Sequence, residues 1–179
     1  MTESSNEDNK NKNRSKSRTT GSNNDSNQYS EKISFMRELQ ERAIKILSSL
    51  REPEDWIRVK LLLAEEVAKL LAEFNKCIKE IYLIELSGGE PVNEYEGGLD
   101  IDLFIKAEGC SSKIEEYWPL TEEIIKESLV LAKDYKFIRS LKRFFGKGLD
   151  HNLIEFHVNK EYLEPLIRSK HYYKQRLYP

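Results

Sequence analysis

Asp100 and Asp102 stand two residues apart in the run Leu99-Asp100-Ile101-Asp102-Leu103-Phe104-Ile105. Side chains alternate along an extended strand, so both carboxylates share one face while Leu99, Ile101 and Leu103 take the other. Two carboxylates that close repel each other unless a cation sits between them. Hard oxygen ligands suit Mg²⁺ or Mn²⁺. The apolar neighbours matter, because they turn a D-x-D of the kind common in solvated turns into one mounted on a strand with a buried back.

The elements around the pair give it a frame. Ile81 to Leu86 is a short apolar run that reads as a strand. Gly88 and Gly89 end it, glycine being the residue that permits positive φ and close backbone approach. About ten residues intervene before Gly97-Gly98 leads into the aspartate strand. This frame resembles the nucleotidyltransferase superfamily that includes DNA polymerase β. There, an apolar residue and a Gly-Gly or Gly-Ser pair precede an apolar-flanked Asp-x-Asp or Asp-x-Glu. Gly97, three residues before Asp100, is similar to the pattern of the archaeal CCA-adding enzymes.

The resemblance implies an activity and a site. A third acid is expected on a neighbouring strand, and Glu155 in Ile154-Glu155-Phe156 fits it. Asp100, Asp102 and Glu155 are then the catalytic and metal-binding residues, holding two Mg²⁺ or Mn²⁺ ions. The implied reaction moves NMP from an NTP to a hydroxyl on an RNA end, a protein or a small molecule. The triphosphate would rest on Ser87, Gly88 and Gly89, with Arg139, Lys142 and Arg143 as cationic contacts. His157 shares the Glu155 face and reads as structural. The loop after Gly89 departs from the family: Glu90-Pro91-Val92-Asn93 is acidic and stiff where many members carry a basic and a small residue.

The remaining elements must position this site. A helix from Ser30 carries Phe35, Leu39, Ala43, Ile46, Leu47 and Leu50 at helical spacing. After Pro53 a second helix shows Trp56, Val59, Leu63, Val67, Leu70, Phe74, Cys77 and Ile81 in steps of three and four. An apolar face resumes from Ile114 through Ala132 across Pro119. Residues 137–145 and 151–158 read as two further strands joined by Gly146-Lys147-Gly148, and Asn159 as the cap of a short C-terminal helix. The expected fold is α+β: a small mixed β-sheet with helices on one face, plus N-terminal helices. One domain is expected over residues 30–179, preceded by a disordered polar tail at 1–29, which has too little apolar surface to offset chain entropy.

The 179 residues carry a formal net charge of −2. That charge is unevenly spread. Residues 136–179 hold ten Lys and Arg against four Asp and Glu, whereas residues 31–135 hold fourteen against twenty-three. A basic C-terminal part suits a phosphate-bearing partner. No apolar run approaches the ~18 residues of a membrane span. The two cysteines, Cys77 and Cys110, imply no disulfide framework, and a reducing cytoplasm is the expected location. Two other functions share the D-x-D. One is a binding or antitoxin-like module of the same fold with weakened catalysis, which the acidic loop favours. The other is a sugar-nucleotide glycosyltransferase, which the glycine pair and Glu155 disfavour.

Overall fold

In α1 (Ser22–Leu47), Phe35, Leu39, Ala43 and Leu47 recur every four residues and are fully buried. The coordinates are a computed structural model that describes residues 22–87, 90–91 and 98–179. The helix starts at Ser22, not Ser30, so it takes in residues the sequence reading assigned to the tail. Residues 1–21 of that tail lie outside the described residues. A 3₁₀ turn at Pro53–Asp55 leads into α2 (Trp56–Phe74), whose buried stripe includes Trp56, Val59, Leu63, Val67 and Leu70. The helix ends at Phe74, before the Ile81 expected from its periodicity. Asn75 leaves helical backbone, and its main-chain and side-chain amides both donate to the Leu71 carbonyl, at 2.9 and 3.1 Å. The apolar residues beyond it belong to β1 (Ile78–Ile84), where the period drops to two.

The sheet has four strands in the order β5-β4-β1-β6. β1 pairs antiparallel with β4 (Ile101–Ala107) and with β6 (Lys174–Tyr178), while β4 and β5 (Ile154–Val158) run parallel. A separate two-residue pair joins β2 (Leu86–Ser87) to β3 (Glu90–Pro91). The mixed α+β class is as expected. β6 was not expected: Lys-Gln-Arg-Leu-Tyr has no alternation of apolar residues to mark it. One sheet face presents Ile81, Leu83, Ile101, Leu103, Ile105, Ile154 and Phe156 to the main core beneath α1, α2 and α4 (Tyr117–Ala132). On the other face, Ile84 and Phe104 pack with Leu163, Leu166 and Ile167, contributed by a 3₁₀ turn at Glu161–Leu163 and by α6 (Glu164–Arg168). The rest of that second face carries the polar residues of interest.

The segment expected as a strand at 137–145 is helix α5 (Tyr135–Phe145), the last helix of the β4-to-β5 crossover that also contains α3 (Ser111–Glu115) and α4. Asp134 caps it by accepting from the Phe137 amide at 2.8 Å, and Gly146 ends it in the left-handed region at φ 71°. Phe137, Leu141 and Phe145 fall four apart and face the core, a period the aromatic richness of the run masked. Asn159 is likewise not a helix cap. It holds a positive φ of 51° and bonds the Ala107 amide and carbonyl through its side chain, at 2.9 and 2.8 Å, tying β4 to the end of β5.

Cys77 and Cys110 form a disulfide, although the sequence implies no disulfide framework. The β1–β4 register explains it. Ile78 lies opposite Ala107, and the Glu108 amide donates to the Cys77 carbonyl, so the hairpin brings the residues just outside it together. Nothing in a spacing of 33 residues announces that meeting. Cross-linking a loop of this length restricts the unfolded chain. Replacing both cysteines by alanine should lower unfolding free energy by about 2–4 kcal/mol in urea denaturation under oxidising conditions. A loss below about 0.5 kcal/mol would show that the hairpin closes without the bond.

Candidate metal centre

Parallel register sets Asp102 of β4 directly beside Glu155 of β5, and Phe104 beside His157. Partners in register share a face, so Asp102, Glu155 and His157 stand together on the face away from the main core. One ligand atom from each of the three lies within 4.8 Å of the others. His157 Nε2 is 2.9 Å from Asp102 Oδ1. A carboxylate only accepts, so the proton of that bond sits on Nε2. Asn152 donates to Glu155 Oε1 at 2.9 Å and fixes that side chain.

Asp100 precedes β4 and is held differently. Lys147, in the turn after α5, donates to its Oδ2 at 2.8 Å. Its Oδ1 is buried, with no hydrogen-bond partner among the described residues. A buried acceptor without a donor is costly, and a cation is the partner such an oxygen suits. The Lys147 ammonium is held above its ordinary range, first by the bond to Asp100 and then by the charges of Asp100, Asp102 and Glu155. All three expected acids therefore act on one lysine. The tightest ligand group, however, contains His157 where the sequence reading placed Asp100. His157 had a signal in the sequence, its two-residue offset from Glu155. Lys147 had none beyond its place in a glycine turn.

The strand ends that carry these side chains are pinned from the core side. At the entry to β4, the Trp56 indole donates to the Leu99 carbonyl at 2.8 Å, and Lys60 donates to the Gly98 carbonyl at 3.2 Å. At the entry to β5, Glu122 of α4 accepts from the Leu153 and Ile154 amides, at 2.9 Å each for its Oε2. The Trp118 indole donates to the Ile154 carbonyl at 2.7 Å. Lys60 also forms a buried ion pair with Glu85, at 2.7 Å. Burial pushes the Glu85 carboxyl up, Lys60 pulls it down, and the charges of Asp102 and Asp100 push it up again, with a net rise.

The nucleotide contacts expected from sequence are not gathered here. Arg139, Lys142 and Arg143 lie exposed on α5, and among the described residues none is bonded to the carboxylates. The Ser87 backbone pairs with Glu90 in the small two-strand ladder, while Gly88 and Gly89 lie outside the described residues. No protein-family model, no curated protein and no solved structure matches this chain.

The Lys60–Glu85 pair makes a direct test of this core-side support. Lys60→Met strands a buried carboxylate and should remove about 3–5 kcal/mol of stability, whereas Lys60→Met with Glu85→Leu should recover most of it. Urea denaturation of the two variants measures both. A single-variant loss below about 1 kcal/mol would class the pair with ordinary surface bridges.

Proposed function

We propose that this protein is a metal-dependent nucleotidyltransferase that moves NMP from an NTP to a hydroxyl acceptor. The observation that carries the reading is the in-register meeting of Asp102 and Glu155, together with an Asp100 oxygen two residues along the same run that is buried and has no partner among the described residues. The donor set fits the group the reaction needs. Carboxylate oxygens from Asp100, Asp102 and Glu155 are hard ligands for Mg²⁺ or Mn²⁺, and those of Asp102 and Glu155 belong with His157 to the group whose ligand atoms lie within 4.8 Å of one another. Two such ions, when bound, supply activation of the acceptor hydroxyl and neutralisation of the departing pyrophosphate.

The chain's own residues divide the remaining work. Asn152 orients the Glu155 carboxylate through Oε1, and that carboxylate is the group that would take the acceptor's proton. His157 holds Asp102 in one rotamer through Oδ1. Lys147 is placed to neutralise negative charge at the Asp100 edge before substrate arrives. Ser87, Gly88 and Gly89 remain the expected triphosphate contacts. No helix among the described residues is long and apolar enough to cross a membrane. The Cys77–Cys110 bond does not fit the reducing cytoplasm expected from the sequence, since such bonds persist chiefly in oxidising surroundings.

A second reading has one specific observation behind it. Lys147 and His157 already provide the acids with cationic or donor partners, as a binding module that had dispensed with metal would require. The two readings part in one experiment. For the enzyme, Mn²⁺ should raise the melting temperature by mass action, and Asp102→Asn should abolish that rise. With labelled NTPs, Asp102→Asn should lower transfer by roughly a thousandfold, and Glu155→Gln should lower it while sparing more of the NTP-metal affinity. Wild-type protein that transfers no nucleotide and whose melting ignores Mn²⁺ would rule out the enzyme and leave the module.

A further inference from the structure

α5 concentrates cation on one exposed face. Lys136, Arg139, Lys142 and Arg143 are all exposed, and with Ser140 they line a concavity of about 560 Å³. Lys142 reaches Asp150 at 3.3 Å, but among the described residues no acid pairs with Lys136, Arg139 or Arg143. Helix stability does not account for the arrangement. Cations favour the last turn of a helix, which suits Lys142 and Arg143. Lys136 lies in the first turn, where the helix dipole disfavours it. The whole chain is net −2, so this face is a local excess against the overall charge.

Aromatic residues complete the pattern. Tyr135, Arg139 and Arg143 fall in one row at i, i+4 and i+8, and neighbours at that spacing share a side of the helix. Tyr135 is 76% exposed, and Phe144, on the flank, is 50% exposed. Neither ring is used to close the core to the extent of Phe137 and Phe145. Cations that track phosphates, interleaved with aromatic faces on which bases stack, are what a single nucleic-acid strand requires. The row also has a direction. Beyond Arg143 the helix ends at Gly146 with φ 71°, and the next residue, Lys147, bonds Asp100.

From this arrangement we infer that the exposed face of α5 binds the phosphodiester backbone of a single-stranded nucleic acid and leads its terminal hydroxyl to the Asp100–Asp102–Glu155 cluster. The inference rests on the nucleotidyl-transfer reading for the second half of that statement and on α5 alone for the first. Arg139 and Arg143 contact phosphates, and Tyr135 stacks on a base. Lys147 marks the end of the track.

The test uses the full chain and a fluorescein-labelled single-stranded 20-mer, as RNA and as DNA of the same sequence, read by anisotropy across a salt series. Binding should weaken linearly in log–log form as salt rises. Arg139→Gln with Arg143→Gln should flatten that slope by about 0.7 per arginine. Tyr135→Ala should weaken binding about tenfold at unchanged slope. Tighter RNA than DNA binding would support a contact to the ribose 2′-hydroxyl, and equal binding would support recognition of the phosphodiester alone. Salt-independent binding, or a slope unchanged in the double arginine variant, would overturn the inference. So would tighter binding to phosphatidylglycerol vesicles than to either oligonucleotide, lost in that variant. Failure of the two proposals is separable. Strand binding that depends on α5, without transfer of any NTP, sinks the nucleotidyltransferase and leaves the strand surface standing. Transfer to a small hydroxyl acceptor, with strand binding indifferent to α5, does the reverse.

Discussion

The parallel pairing of β4 with β5 is the constraint on which the rest of this structure depends. Parallel neighbours cannot be joined by a tight turn and need a crossover of a dozen residues or more. Here the crossover is α3, α4 and α5, running between Ala107 and Ile154. The pairing therefore does two things at once. It fixes Asp102 opposite Glu155, and a slip of one residue would send Glu155 to the core face. It also requires the chain to return past the Asp100 edge, which puts the turn after α5 close enough for Lys147 to bond Asp100.

Register alone would not hold like charges on one face. The opposing force comes from the core side, where donors and one acceptor grip the backbone instead of the site carboxylates. Trp56 and Lys60 hold the carbonyls of Leu99 and Gly98, and Glu122 and Trp118 hold the start of β5. These bonds are buried or half-buried, where a lost partner is expensive. Repulsion among Asp100, Asp102 and Glu155 can thus be relieved by a proton or a cation, but not readily by the strands moving apart. The Lys60–Glu85 pair belongs to the same support, since one ammonium serves both Glu85 and the Gly98 carbonyl.

What the sequence revealed follows from which forces are local. The buried backs of β4 and α2 were legible because Ile101, Leu103, Trp56 and Val67 repeat with the period of their element. The α2 boundary was not, because Cys77 and Ile81 happen to continue a helical spacing while Asn75 breaks the backbone. α5 was misread as a strand because three phenylalanines in a short run outweighed the Asp134 cap and the Gly146 stop. β6 pairs through its backbone and carries charged side chains, so no apolar pattern exists to find. Of the site, the aspartate pair and Glu155 could be named in advance. Their meeting with His157 and Lys147 depends on register and on a crossover, both long-range, as is the disulfide between Cys77 and Cys110.

The counter-charges decide how the cluster should be weighed as chemistry. An acid group that is only structural tends to be neutralised completely, since any buried acceptor without a partner detracts from stability. This one is neutralised in part. Asp100 gives Oδ2 to Lys147, Asp102 gives Oδ1 to His157, and Glu155 gives Oε1 to Asn152. In each case one oxygen is fixed and oriented by a neighbour. For Asp100 the other is buried, with no donor to it among the described residues. Among the described residues, the surface orients three acids by one oxygen each and leaves one buried oxygen unmet, which a further positive partner would suit. On the nucleotidyl-transfer reading that asymmetry leaves room for an ion beside a standing lysine, whereas on the module reading the lysine has taken the ion's place.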